Sequence, residues 1–295
     1  MPTLLLTNAN RIRNKLDELY VMVQEMNPNI IAITETWLDD TIPDTVCSLP
    51  NYSIVRRDRQ GKLGGGVMLY LSNENYFRLL NSLLPANDFE LLWVMVRPRL
   101  LPRAVSVLII GVVYFPPWYS VSLNKELCHF IMQCVDILSR HYLNAGFLIV
   151  GDFNQANTSV FNRHLSSFRQ IVLNPTRANN ILDKIFTNCY SFYSSPVIMP
   201  PLGRSDHNCV FLSSKNVLHS SCGFKEIQVK RFDVFNIGAE LSRVKWQDLF
   251  LMSNCQDQAD FFILLLILFS VVLLRLERLK SNVMISLGLI IIFVS

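Results

Sequence analysis

The sequence lacks several features that would settle its class at once. Its seven cysteines include no Cys-x-x-Cys pair and their number is odd, so neither a zinc site nor a disulfide framework is expected. Reduced core thiols in a reducing compartment are the plain reading. Glycine and proline are sparse, 11 and 13 in 295 residues, which excludes collagenous and low-complexity chains. Charge of one sign is missing too. Residues 1–212 hold 18 basic and 16 acidic side chains, and the net charge is only +4. No basic tail advertises nucleic acid, so any such contact must come from local clusters. No charged region precedes an apolar stretch at the N-terminus, and no secretory signal is expected. The three glycines 64–66 are not followed by Gly-Lys-Ser/Thr, so they form no Walker loop.

Apolar residues, by contrast, are plentiful at 51%, which excludes a disordered chain. They are unevenly placed. Residues 261–295 contribute 25, and the remaining body is about 48% apolar, ordinary for a soluble domain. Within that body, strand-length apolar runs recur at Leu4–Leu6, Ile30–Ile33, Val67–Leu71, Leu91–Val96, Val105–Tyr114, Phe147–Val150 and Cys209–Leu212. Spacings of three and four predict helices over 13–26, stopped by Asn27-Pro28, and over 123–142. Strands in excess with few helices predict two packed sheets with helices outside.

Polar residues capable of chemistry stand at the ends of these runs. Asp152 and Asn154 follow the run ending at Val150 and point the same way. A carboxylate and an amide there can hold and deprotonate a water, or simply form an Asx turn. Glu35 follows Ile30–Ile33 and is either a metal ligand or a satisfied structural carboxylate. Magnesium suits such a position, because it takes one or two carboxylates and keeps several waters. Asp206 and His207 are adjacent before Cys209–Leu212, hence on opposite faces, so a separate carboxylate must orient the imidazole. Asp183 is the candidate. Asn8 follows Leu4–Leu6, and Tyr114 stands before Pro116-Pro117, where it either packs or offers its hydroxyl to a phosphate.

The ordered series Asn, Glu, Tyr, Asp-x-Asn, Asp, Asp-His, each member at a strand end, resembles the endonuclease/exonuclease/phosphatase superfamily. Three further stretches resemble the endonuclease domain of LINE-type non-LTR retrotransposons. They are Thr7-Asn8-Ala9 leading into Arg13–Leu19, Arg56-Arg57-Asp58-Arg59 before Gly64-Gly65-Gly66-Val67, and Asn174-Pro175-Thr176-Arg177 before Leu182-Asp183. The resemblance covers residues 3–212. It implies an α+β fold, a DNase I-like four-layer α/β sandwich, that hydrolyses phosphodiesters with Mg2+ or Mn2+. It implies Glu35 as principal metal ligand with Asp206 near the metal. Asp152 would activate water, helped by Asn154 and Asn8. His207 would contact the scissile phosphate, with Asp183 fixing its ring and Tyr114 donating to a phosphate oxygen. Asn10 stands where many apurinic enzymes carry a second metal-proximal Asp, which weakens any second metal site.

DNA is the implied partner, and no protein partner is evident. Arg11 and Arg13, with Lys15, and Arg57 and Arg59, with Arg56 and Lys62, are the clusters that could contact phosphates. A solvated face is the equal alternative. A phosphatase or phospholipase of the same superfamily, or a decayed inactive copy, are the competing readings.

Beyond residue 212 the expectations are a polar linker over 213–230, a connector helix over 231–260 and the hydrophobic tail 261–295. No Tyr/Phe-x-Asp-Asp polymerase signature follows, so the chain reads as a truncated element. A membrane-spanning helix needs about 20 apolar residues. Residues 261–274 and 281–295 each fall short. An anchor through 261–279 would have to carry Arg275, Glu277 and Arg278 near one end. Translation past a truncation point is the favoured alternative for the tail. Location is nuclear or cytoplasmic on that alternative, and membrane on the other.

Overall fold

The longest apolar runs become strands buried on both faces, which is why they show no alternation in the sequence. A computed structural model describes residues 1–215 and the shorter pieces 227–232, 246–247, 251, 254–261, 263, 274–279 and 290–291. The chain divides into two units, Met1–Ser220 and Ser221–Ser295.

In chain order the first unit runs β1 (Leu4–Asn8), α1 (Leu16–Met26), β2 (Ile30–Thr34), β3 (Tyr52–Arg57), β4 (Val67–Ser72), β5 (Tyr76–Leu79), β6 (Leu91–Arg97) and β7 (Leu108–Tyr114). It continues with α2 (Val121–His141), β8 (Gly146–Asp152), α3 (Ser159–His164), β9 (Arg169–Gln170), β10 (Asp183–Thr187), β11 (Val197–Pro201) and β12 (Asn208–Leu212). Two six-stranded sheets form, in the orders β11-β12-β1-β2-β4-β3 and β5-β6-β7-β8-β10-β9. Each is mixed. Its one parallel pair, β1 with β2 or β7 with β8, is joined across α1 or α2.

Side chains alternate between two cores. Leu4, Leu6 and Ala32 of one sheet meet Val94, Ile110 and Val150 of the other between the sheets. Leu5, Ile31 and Ile33 face outward under Leu19 and Val23 of α1. Trp93, Ile109 and Ile149 lie likewise under Leu127, Ile131 and Leu138 of α2. The result is the expected four-layer sandwich. The expected stop of the first helix at Asn27-Pro28 is present. The α1 helix ends at Asn27 in left-handed backbone, and the Ser120 hydroxyl caps α2 by accepting from the Leu123 N–H at 3.1 Å.

The topology gathers chemistry at one end. Asn8, Tyr114 and Asp152 close β1, β7 and β8, and Glu35 directly follows β2. The antiparallel strands β10 and β12 enter from the same end, bringing Asp183 opposite Asp152 and His207 to the start of β12. Gly151 is obligatory here. Its φ is +147°, and an added Cβ would lie 1.8 Å from the Val113 carbonyl oxygen of β7.

In the second unit β13 (Ile227–Phe232), β14 (Leu274–Leu279) and β15 (Ile290–Ile291) form an antiparallel sheet in the order β14-β13-β15. This corrects two expectations. The helix over 231–260 does not start at 231, because Arg231 and Phe232 close β13. Among the described residues of that range only 246–247 and 255–260 are helical. Within the proposed anchor 261–279, residues 274–279 are strand, in keeping with the alternating Leu274-Arg275-Leu276-Glu277 pattern. The rest of that segment lies largely outside the described residues. Among the described residues no helix is long and apolar enough to cross a membrane.

Candidate active site

Asp152 is the centre of the site and is almost wholly buried. Its Oδ2 accepts from the Asn8 amide at 2.9 Å and from the Asn154 amide at 3.3 Å, and its Oδ1 accepts from the Asn154 N–H at 2.8 Å. The Asn154 side chain also donates to the Phe115 carbonyl at 2.8 Å, tying β7's exit to the site. The His207 Nε2 lies 4.0 Å from Asp152 Oδ2, and its Nδ1 lies 2.8 Å from Asp183 Oδ2. Asp183 is fully buried, and its Oδ1 has no hydrogen-bond partner among the described residues, so this carboxylate is compensated mainly through the imidazole. The Thr176 hydroxyl accepts from the N–H groups of Leu182 and Asp183, both at 3.1 Å, and fixes the start of β10. Ser205 donates to the Asn8 carbonyl at 2.7 Å and ties the approach to β12 to the end of β1, its neighbour in the same sheet. Asp152, Asp183 and His207 place one donor atom each within 4.8 Å of one another, so this cluster could hold a metal ion.

Glu35 forms a second focus. Its Oε1 accepts from the Tyr114 hydroxyl and its Oε2 from the Trp37 indole N–H at 2.7 Å. Both donors are neutral. The carboxylate charge therefore has the lone pairs and the unbalanced sign that a hard dication requires. Left-handed backbone in non-glycine residues concentrates around it, at Asn10, Arg11, Glu35, Trp37 and Asn154. Such strain costs about 1–3 kcal/mol per residue and is typically retained at functional sites.

Electrostatics follow burial. Desolvation first, and then the charge of Asp183, pushes the Asp152 carboxyl up from its usual 3.8 to about 7, against the pull of His207. For His207, burial disfavours the imidazolium. The hydrogen bond and charge of Asp183, with Asp152 and Asp206, outweigh it and raise the pKa. Burial and the Glu35 hydrogen bond push the Tyr114 hydroxyl above the usual tyrosine range, keeping it a donor.

A group whose folded pKa is raised binds more protons in the native than in the unfolded state, so stability falls as pH rises through the window between the two values. In the presence of a chelator, wild type should lose more thermal stability than Asp152→Asn between about pH 4 and pH 7. Parallel melting profiles for the two proteins would count against the assignment.

The structure thus brings together Asn8, Asp152, Asn154, Asp183 and His207, and separately Glu35 with Tyr114. Asp206 does not join the buried cluster. It points to the surface and pairs with Arg177 at 2.5 Å. Two of the expected DNA contacts need correcting. Arg57 turns inward and donates to the carbonyls of Leu91 and Asn87. Arg59 is buried against Glu90, donating from Nε to Oε1 at 2.8 Å, with NH2 2.6 Å from the same oxygen. Their guanidinium donors are engaged within the fold instead of facing solvent. Lys15 likewise turns in, to the carbonyls of Ala9 and Asn10. Arg11 and Arg13 remain exposed, with Arg11 4.6 Å from the Trp37 ring.

Sequence reasoning missed Glu90, Ser205 and the roles of Trp37 and Thr176, none of which stands out by spacing. A cavity of about 610 Å³ opens beside Asn154, lined by Phe115, Phe153, Gln155, Arg177 and Asn180 among others. A larger one of about 860 Å³, around Met1, Asn29 and Leu100, contains none of the site residues.

Comparison with known proteins agrees with the fold. The model of the Endonuclease/Exonuclease/phosphatase family matches residues 5–207. A comparison with curated protein sequences found no match. Among solved structures, the endonuclease domain of TRAS1, a telomere-specific non-LTR retrotransposon, superposes with a TM-score of 0.56 at 13% identity, covering 73% of this chain and 99% of that one. The AP endonuclease LMAP from Leishmania major gives 0.56 at 13% identity, covering 72% and 86%. The 3'-5' exonuclease NExo from Neisseria meningitidis gives 0.51 at 14% identity, covering 72% and 99%. At these identities the likeness is one of fold, a DNase I-like sandwich.

Proposed function

The chain belongs to the Endonuclease/Exonuclease/phosphatase family, a superfamily of hydrolytic phosphodiesterases and nucleases, and from that premise we propose that it is a divalent-metal-dependent endonuclease that nicks DNA. The observation that carries the reading is the buried chain Asn8–Asp152–His207–Asp183, with a 4.0 Å gap between the Asp152 carboxylate and the His207 Nε2. The pair sets an acceptor, the Asp152 carboxylate, beside a donor, the His207 Nε2, so a substrate bound alongside could meet both.

Asp152 takes a proton from the attacking water. Its raised pKa, about 7, suits a base working near neutrality. Asn8 and Asn154 hold the carboxylate and leave it room to accept. His207, whose protonated form the Asp183 carboxylate favours, donates from Nε2 to a non-bridging phosphate oxygen, where charge grows as the bond forms. Tyr114 orients Glu35. Glu35 is the residue that would hold Mg2+ or Mn2+, and a bound dication supplies Lewis-acid stabilisation of the phosphoryl oxygens. The Asp152–Asp183–His207 cluster suits Mg2+ less well, since one imidazole nitrogen is already committed to Asp183 and magnesium prefers oxygen donors. Asp206 adds negative charge at the same end, as its effect on His207 indicates.

Support for DNA over a small phosphate ester comes from the fold likeness to the TRAS1 and LMAP endonucleases and from the three transposon-like stretches of sequence. On this reading the chain is the target-nicking part of a retrotransposon protein. Supercoiled plasmid incubated with the protein and Mg2+ should convert to open circles, and excess chelator should abolish conversion. Release of phosphate from an inositol phosphate without nicking would move the protein to the phosphatase branch. A folded protein inert on both substrates would mark it as a decayed copy.

A further inference from the structure

Trp118 is a large aromatic residue left 56% exposed beside the site. It is not on a floppy loop. Pro116–Tyr119 is a hydrogen-bonded turn, with the Tyr119 N–H donating to the Pro116 carbonyl at 3.0 Å and Pro117 in the position that favours it. The residue before the turn is pinned to the active site twice. The Phe115 N–H donates to the Asp152 carbonyl at 2.9 Å, and the Phe115 carbonyl accepts from Asn154 at 2.8 Å. One face of the indole is covered by the Arg59 guanidinium, 4.5 Å from the ring. The guanidinium is itself 5.6 Å from the Tyr114 ring, and buried Glu90 locks it in place. Tyr114, Arg59 and Trp118 therefore form a column that starts at the hydroxyl bonded to Glu35 and ends in a half-open indole.

As packing alone this arrangement is incomplete, because the Trp118 side chain remains mostly in water. As a binding element it is well made. Its cation is already neutralised by Glu90, so the indole offers a flat apolar face without a charge of its own. Such a face accepts any nucleobase by stacking.

Resting on the reading of the site as a nucleic-acid phosphodiesterase, we propose that Trp118 is a stacking platform for an unpaired nucleobase next to the scissile phosphate. The preferred substrate is then a single strand or a locally melted duplex. Base–aromatic stacking is worth about 1–3 kcal/mol per base, which is about a 5- to 150-fold change in affinity.

The test uses the full chain and a fluorescein-labelled oligothymidylate in chelator, so that binding is read without cleavage. Trp118→Ala should weaken binding about 5- to 150-fold, and Trp118→Phe should recover most of the loss. The ratio of wild type to Trp118→Ala should persist as salt is raised, whereas phosphate contacts weaken steeply. Replacing thymines one at a time by a baseless spacer should reproduce the loss in wild type at one position and leave Trp118→Ala indifferent there. Equal binding by wild type and Trp118→Ala, equal sensitivity to the spacer, or no binding by wild type would overturn the proposal. Plasmid nicking by wild type separates the two claims. Nicking with Trp118-independent binding removes the platform and keeps the endonuclease. Trp118-dependent binding without nicking keeps the platform and removes the endonuclease.

Discussion

Asp183→Asn should reduce the metal-dependent nicking rate by about 1,000- to 10,000-fold while leaving the fold in place. The size of the effect follows from what Asp183 holds. Its Oδ2 fixes the His207 ring through Nδ1 at 2.8 Å, and among the described residues this is the only hydrogen bond to either of those two side-chain atoms. With a carboxylate there, Nδ1 must carry a proton, and the negative charge favours a second proton on Nε2. An asparagine side chain can donate from its amide to Nδ1 as readily as it accepts from it. The ring then loses both its defined tautomer and its charge, so the donor facing the phosphate disappears. His207→Ala should lose about as much, because the two residues act as one unit and their effects do not add. Turnover numbers for wild type, the two single variants and the double variant would check this, with far-ultraviolet circular dichroism as the fold control. A double variant much slower than either single one would show that Asp183 has a second task.

A related expectation concerns where the loss appears. If Asp183 acts through the imidazole on developing charge, the turnover number falls and KM changes little. A rise in KM alone would instead place His207 in ground-state binding.

Much of the site could be read from the sequence because β1, β2, β7 and β8, which carry or directly precede most of it, are buried on both faces. Leu4–Leu6, Ile30–Ile33 and Phe147–Val150 stand out as apolar runs, and the polar residue ending each is conspicuous. The same feature hid the edge strands. Tyr52–Arg57 and Tyr76–Leu79 are half covered and carry arginine, and Val197–Pro201 contains two prolines that only a sheet edge tolerates. Asp183 was legible as an orienting carboxylate because Asp206 and His207 must point apart. The direction of the arginines was not legible. Arg57 and Arg59 lie in a strongly basic stretch that reads as surface, yet their partners Asn87 and Glu90 are 30 and 31 residues away. A long cationic side chain takes its direction from whichever buried acceptor the fold supplies, and local spacing holds no record of that.

Glu90 is the residue on which this hidden part of the structure depends, and Glu90→Ala should lower unfolding stability by about 3–5 kcal/mol. The carboxylate is 5% exposed and sits where three demands meet. It accepts from Nε of Arg59 at 2.8 Å, takes NH2 of the same residue at 2.6 Å, and accepts from the Gly66 N–H at 2.5 Å. Gly65 is shaped around it, since a Cβ there would lie 2.2 Å from Glu90 Oε2, at a φ of +68°. Removing the carboxylate leaves the Arg59 cation buried without its counter-charge and the Gly66 N–H without its acceptor. Breaking one half of a buried pair costs far more than the pair itself contributes, because the remaining charge stays desolvated. Arg59→Ala alone strands the opposite charge and should cost a similar amount. Arg59→Met with Glu90→Leu removes both charges and should recover much of the loss, although the Gly66 N–H still lacks a partner. Urea unfolding of the four proteins would measure this. A double variant no more stable than either single one would mean that the arginine–glutamate charge pairing is not what holds the segment. The functional consequence travels along the same contacts. Arg59 supports the Tyr114 ring, whose hydroxyl holds Glu35, so the single variants should also need more Mg2+ for half-maximal nicking, measured below their shifted melting temperature.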